Sequence, residues 1–461
     1  MKRIHFVGVS GIGMSALASI CLDIGYSVSG SADTENAQTN NLIQKGMRFY
    51  LGHCASHLDR PDIVVRSAAV VVENEEVAEA GRRGIPVYLY SEFLGELMSK
   101  KKGIAVGGTH GKTTTTAMTG WILRQAQLTP SVVCGGVMRN FESNAVYGRG
   151  DYFISEACEY QRSFLNLRKW YAIITNVEAD HLDYYRDLED IKGAFDDFLY
   201  ATDDRGFAVV NGDDPNLIEI VSDTAGLNIH TVGYGEENQY RIGELENRNG
   251  YYSFQMVGRD GEALFQARLS VPGRFNCINA ALSAALALNL GISGDTIQES
   301  LSTFLGTGRR LEYLGTRGMQ HLYTDYAHHP TEIALALSTL REVHAGMELC
   351  VVFQPHQYSR TAKLFDGFVD SLLGADCVIL TDIYRQRDSE VYVKAVSSQD
   401  LMREMRKRGR NRRIALVRDD EELFSLLSEQ NLPSEESGTV VAFLGAGDID
   451  EAARRYAALP G

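Results

Sequence analysis

At 461 residues, with 44% hydrophobic and 23% charged side chains, the chain reads as a folded globular protein too long for one hydrophobic core, and two or three domains are expected. A formal net charge of −15 argues against a polyanion-wrapping surface, so nucleic acid is not expected as a partner, although local glycine-rich loops can still bind small phosphates. Seven scattered cysteines without a CxxC pair suggest neither a disulfide framework nor a zinc site and fit a reducing cytoplasm; no run of about 18 apolar residues points to a membrane.

The chain opens on RIHFVGVSGIGMSALASICLDIG. IHFV reads as a short buried strand, and Leu17, Ile20, Cys21 and Ile24 then recur at helical spacing. Gly8, Gly11 and Gly13 interrupt the apolar stretch, which argues against a signal peptide. In the turn GVSGIG, Ser10 stands where a dinucleotide fingerprint carries its middle glycine. A strand-to-helix turn of small residues still offers backbone N–H groups and a positive helix end to a phosphate. An NAD site, a diphosphate site for a nucleotide-sugar and a bare tight turn all stay open on these residues. YSVSGSA, DIVVRSAAV and IPVYLY supply further strands of what resembles half of a doubly wound sheet, ending near residue 100.

A second block begins at KKGIAVGGTHGKTTTTAMTGWILRQA. The strand IAV feeds a glycine loop, and Met118, Trp121 and Ile122 mark one face of the helix behind it. Lys112 is suited to reach β- and γ-phosphates and Thr113 to ligate Mg²⁺, but the usual spacing needs a glycine at Val106, so the loop is a shortened phosphate cradle. Strands at DYFISEA, YAIITNV and GFAVVNGDD follow. Their carboxyl ends bring SEACEYQRSF, with Glu156, and TNVEADHLDYY, with His181, toward the nucleotide crevice; a solvated loop histidine is the alternative for His181. NCINAALSAALALNLGI reads as a long core helix.

The third block alternates strands and helices again: HLYTDYAHHPTEIALALSTLREV, LCVVFQPHQYSR, DCVILTDIY and TVVAFLGAGDI. Ile333, Leu337 and Leu340 fit one helical face, with Pro330 in the first turn, where a missing N–H costs little. Asp325, His328, His356 and Arg360 could line an anionic amino-acid or nucleotide pocket, with polar capping of a helix as the alternative for the two histidines.

Taken together and in order, VGVSGIGMSALA, GTHGKTTT, TNVEADHLDYY, PGRFNCINA, GRRLE, DYAHHPTEI, FQPHQYSRT and LGAGDI resemble the Mur ligase family from residue 4 to about 449. The resemblance implies an α/β chain of three domains: a Rossmann-like UDP-sugar domain at 1–100, a central P-loop ATPase-like domain at 101–308, and a Rossmann-like domain at 309–461 that closes over ATP and the amino acid. Parallel sheets are thus expected on both sides of the central domain. The activity implied is cytoplasmic, ATP- and Mg²⁺-dependent amide ligation in peptidoglycan precursor synthesis. L-alanine is joined to the lactyl carboxylate of UDP-N-acetylmuramate through an acyl phosphate; re-attachment of a recycled tripeptide is the alternative.

Position by position, the resemblance assigns Ser10, Gly11, Ile12, Gly13 and Met14 to the UDP-sugar. ATP falls to Gly108, Thr109, Gly111, Lys112, Thr113, Thr114, Asn276, Asn279, Arg310 and Asp325, with Lys112 as the phosphate clamp. Thr113, Glu156 and His181 are the Mg²⁺ ligands, and His328, His356 and Arg360 hold the amino acid. Lys112, Glu156, His181 and His328 form the catalytic set. Two departures stand out: Gln357 replaces an arginine that many members have after His356, and Cys158 replaces a frequent acid. Cys158 is expected to be a packed thiol and not a nucleophile.

Overall fold

The computed structural model describes residues 2–224, 226–386, 388–409, 413–428 and 438–459. Three sheets follow one another along the chain. The first orders its strands Arg48–Leu51, Ser27–Ala32, Arg3–Val7, Ile63–Arg66 and Val87–Leu89, all parallel. The chain turns from Arg3–Val7 at Gly8 (φ 83°) into the helix Ile12–Ile24, which places the GVSGIG turn at the carboxyl edge where strand order reverses. Leu17, Ile20 and Cys21 are buried as their spacing predicts. One acid is buried in this domain: Glu76 meets His57 Nδ1 at 2.8 Å, His53 Nδ1 at 3.0 Å and the Ser31 hydroxyl.

The central sheet has ten strands. Lys102–Gly107, Lys169–Ile174, Tyr152–Glu156, Thr202–Asn211, Ile229–Gly233 and Ser131–Met138 form its parallel middle. Ser143–Val146 closes one edge antiparallel. At the other edge Tyr240–Arg248, Tyr251–Val257 and Ala263–Arg268 form an antiparallel extension. Sequence reading passed over this extension, though its turn is marked: Asn249 (φ 54°) and Gly250 (φ 78°) are the pair that a two-residue hairpin with two positive φ angles demands. The helix Phe275–Asn289 is buried along almost its whole length, as its apolar run predicts.

The third sheet runs Glu312–Arg317, Gln320–Asp325, Thr439–Leu444, Glu348–Phe353, Cys377–Leu380, Arg413–Leu416. Five strands are parallel. Glu312–Arg317 is antiparallel at the edge, because only Gly318 and Met319 join it to its neighbour and two residues cannot make a parallel crossover. The helix Pro330–Val343 buries Ile333, Leu337 and Leu340.

The apolar cores divide unevenly. One continuous cluster joins Phe6, Leu94, Leu97 and Met98 of the first domain to Phe153, Phe164 and Phe195 of the central one. Gly95 makes this possible: a Cβ there would lie 2.1 Å from the Asn166 carbonyl oxygen, so only glycine lets the helix Tyr90–Met98 approach so closely. The C-terminal domain keeps cores almost wholly its own. Among the described residues no helix is long and apolar enough to cross a membrane.

Candidate active site

The strand Lys102–Gly107 ends at Gly108 (φ 130°), and the helix Lys112–Gln125 begins after Gly111 (φ 84°). A Cβ at Gly108 would sit 2.0 Å from Thr175 Oγ1 and one at Gly111 2.6 Å from Asn279 Oδ1, so both positions exclude side chains. The loop is tied to the next strand end. Thr109 N donates to Asn176 O (2.9 Å), His110 N to Asn176 Oδ1 (2.8 Å), and Asn176 Nδ2 returns a bond to His110 O (3.0 Å). Lys112 folds back: its Nζ donates to the Gly108 and Thr109 carbonyls and lies 3.0 Å from Glu159 Oε2. Burial disfavours that ammonium, but Glu159 and other nearby acidic groups more than offset it and hold its pKa above the ordinary value.

Thr113 Oγ1 lies 3.1 and 3.0 Å from the two oxygens of Glu156, and Gly135 N donates to Glu156 Oε2 at 2.8 Å. These are hard oxygen donors, the chemistry Mg²⁺ takes. His181 has its Nε2 3.6 Å from Glu159 Oε1, the acid that pairs with Lys112, and 3.9 Å from Asp180 Oδ2; no ion pair joins it to Glu156 among the described residues. The recess disfavours its charge and lowers its pKa.

A cavity of about 150 Å³ is lined by Ile12 and Gly13 on one side and by Gly135, Glu156 and Cys158 on the other. The first glycine turn therefore opens onto the carboxylate beside the phosphate loop. Gly11 caps the helix Ile12–Ile24 without a side-chain bond, Ser10 O accepts from Asn36 Nδ2 (3.0 Å), and Ile12 O from Asn144 Nδ2 (2.7 Å). Met14 is buried. Cys158 is exposed to the cavity it lines, not packed in a core; the groove's desolvation and Glu159 push its thiol up to about 12, away from nucleophilic thiolate.

A second cavity of about 440 Å³, large enough for a nucleoside, is lined by Gly111, Thr114, Asn276, Asn279, Arg310 and Asp325 together with Phe275. Asn279 Nδ2 donates to Asn276 Oδ1 at 3.1 Å, and Arg310 stacks 5.2 Å from the Tyr326 ring with its Nη2 3.5 Å from Thr113 Oγ1. The Asp325 carboxylate receives Leu311 N (2.6 Å) and Ala327 N (2.7 Å); burial raises its pKa to about 6.

His328, His356 and Arg360 come together in the C-terminal domain. The two rings are 6.0 Å apart, and Arg360 Nη1 donates to His356 Nδ1 at 3.3 Å. Burial, then His328 and Arg360, push His356 down to about 3, so it is neutral. His328 Nδ1 meets Tyr326 O at 3.0 Å and Glu332 Oε2 at 3.2 Å. His329 does the other job foreseen for this motif: it caps the helix, accepting Thr331 N at 3.3 Å. Gln357 (φ 70°) donates its side-chain Nε2 to Gln386 O at 3.3 Å.

Sequence reading missed the acids that hold this arrangement: Glu159, Glu178, Asp180 and Glu332. Arg360 Nη2 reaches Asp180 Oδ1 of the central domain at 3.3 Å, with both side chains about nine-tenths buried. Burial opposes the Asp180 charge, but His181 and Arg360 hold its carboxyl far below the usual range. His110 Nδ1 meets Glu332 Oε1 at 3.1 Å, and Thr331 Oγ1 meets Glu178 Oε2 at 3.1 Å. Glu178 and Asp180 lie inside the TNVEADHLDYY stretch, but their partners are about 150 to 180 positions away, and no local pattern reports such pairs.

Three family models match in succession: the Mur ligase family catalytic domain at residues 3–102, the Mur ligase middle domain at 106–287, and the Mur ligase glutamate ligase domain at 309–447. The UDP-N-acetylmuramate–L-alanine ligase of Aquifex aeolicus is 42% identical over 98% of this chain and 96% of its own. That of Caldicellulosiruptor saccharolyticus is 40% identical over 98% and 97%. Among solved structures, the UDP-N-acetylmuramate-alanine ligase of Thermotoga maritima aligns with a TM-score of 0.82 at 28% identity, over 99% of this chain and 98% of that one. A murein peptide ligase from Psychrobacter arcticus shares the fold, with a TM-score of 0.74 at 21% identity over the whole of both chains.

Proposed function

This chain belongs to the Mur ligase family, and from that premise we propose that it is the ATP-dependent ligase that joins L-alanine to the lactyl carboxylate of UDP-N-acetylmuramate, forming ADP and phosphate. We take 1–100, 101–308 and 309–461 as its sugar-nucleotide, ATP and closing domains. One observation carries the reading: the first glycine turn opens onto Glu156, which Thr113 of the phosphate loop contacts, and Arg360 of the C-terminal cluster reaches Asp180 of the same central domain. Full-length relatives that carry the L-alanine ligase name support it.

The chemistry divides among these groups. An amine cannot be acylated by a free carboxylate directly, because oxide is a poor leaving group. A lactyl carboxylate oxygen attacks the γ-phosphorus and ADP departs; the alanine nitrogen then attacks the acyl carbon, and inorganic phosphate departs. The protein positions these anions and balances their charge. Lys112 exchanges its loop carbonyls and Glu159 for phosphate oxygens. Mg²⁺, when bound, screens charge between phosphate and carboxylate, and Thr113 and Glu156 supply donors that fit it. Arg360, pinned by Asp180, receives the alanine carboxylate. His328, with Nδ1 engaged by Tyr326 O and Glu332, leaves Nε2 to accept the ammonium proton.

The test is ADP release measured with each substrate omitted in turn. Release that requires both UDP-N-acetylmuramate and L-alanine is expected; release without the sugar nucleotide, or turnover with tripeptide but not alanine, sinks the proposal.

A further inference from the structure

We propose that His110, Glu178 and His329 form a binding site for a zinc-class dication that ties the C-terminal domain to the central one. One ligand atom from each lies within 4.8 Å of the other two. His110 and Glu178 stand on loops of the central domain, and His329 at the start of the helix Pro330–Val343 in the C-terminal domain.

The His110 Nε2 atom is buried and makes no hydrogen bond; the nearest charged oxygen recorded for it is Glu178 Oε2 at 3.5 Å. Against burial, Glu178 and Glu332 on either side of the ring favour its protonated form, and a dication between Nε2 and Glu178 would take the place of that proton, which leaves to solvent. The other face of the ring is already set. Nδ1 points at Glu332 Oε1, 3.1 Å away, the carboxylate–histidine arrangement that orients metal-bound imidazoles. Thr331 Oγ1, 3.1 Å from Glu178 Oε2, fixes the third donor. Two imidazoles and one carboxylate select a zinc-class ion over Mg²⁺, which prefers oxygen donors.

Zinc bonds are about 2.0–2.2 Å long, so the three groups must draw together, and binding tightens the gap between the domains. His329 must also change: its Nδ1 now accepts Thr331 N at 3.3 Å, and ligation through Nε2 turns that atom into a donor. The ion therefore competes with a helix cap, which sets its affinity below that of a fully prepared site. It acts as a clamp on the closed form and takes no part in the reaction at Thr113 and Glu156.

The test titrates Co²⁺ alone into the full-length protein, without Mg²⁺ or nucleotide, and follows the visible absorption of four-coordinate cobalt. We expect one such site in the wild type, emptied by Zn²⁺. His329→Gln and Glu178→Gln should each bind at least tenfold more weakly, and Glu332→Gln about 10- to 100-fold more weakly. Glu178→Gln leaves the helix cap intact, so it carries the test if His329→Gln misfolds by circular dichroism. Absence of four-coordinate absorption in the wild type overturns the proposal. So does an unchanged spectrum in Glu178→Gln, or a signal abolished by Glu156→Gln, which would place the ion at the other carboxylate.

Discussion

Lys112 shows what a single side chain carries. Its ammonium sits between loop carbonyls and Glu159, a charge held ready for phosphate and shielded from water. Lys112→Ala should lower kcat for ADP formation by about 100- to 1,000-fold, the scale for losing one preorganised charge donor, and a steady-state assay reads this directly. Asp180 acts at one remove, through Arg360. Removing a charge-assisted bond costs about 1.5–3 kcal/mol, so Asp180→Asn should raise KM for alanine about 10- to 100-fold with little change in KM for ATP; equal changes in both would assign Asp180 a purely structural role. At this scale the sequence was informative where chemistry sits at strand ends. Lys112, Thr113 and Glu156 are marked by their glycine loop and strand, and the structure brings them within contact. Glu159, Glu178 and Asp180 were visible only as acids, because their meaning comes from Lys112, Thr331 and Arg360 and from a fold that pairs them.

Elements were legible in proportion to their periodicity. The helix Pro330–Val343 was readable from Ile333, Leu337 and Leu340, and the helix Phe275–Asn289 from its apolar run. The strands from 240 to 268 were passed over, although Asn249–Gly250 marks their turn, because they face solvent on one side and interleave polar side chains with apolar ones. The antiparallel edge at Glu312–Arg317 follows from a two-residue turn that composition alone does not reveal. The element that buries Glu76 makes its own prediction. Burial pushes this carboxyl up, but hydrogen bonds with His5, Ser31 and His53 outweigh it and bring the pKa from 4.5 to about 2. The folded value is the lower one, so the stabilisation is full above about pH 4.5 and is lost as pH falls through about 2. Glu76→Gln should cost about 1–3 kcal/mol near neutrality. In melting curves, the gap between wild type and variant should shrink toward pH 2; a gap that stays constant with pH would refute the assignment.

On the scale of the whole molecule, two domains share one apolar interior while the third meets them mostly through polar links: Arg360 to Asp180, His110 to Glu332, Thr331 to Glu178, and Lys363 to the Leu182 carbonyl. Water can replace such links, so the C-terminal domain is the part expected to move, and its closure would shield an acyl phosphate from hydrolysis. Small-angle scattering should show a smaller radius of gyration when a non-hydrolysable ATP analogue and UDP-N-acetylmuramate are added together; superimposable curves would contradict closure. The same asymmetry governs what scission would do. A chain severed near residue 308 would part along a wettable seam, leaving a fragment with its interior still sealed. One severed near residue 100 would tear open oil-like faces around Phe6 and Phe195, and the pieces would clump sooner than drift apart.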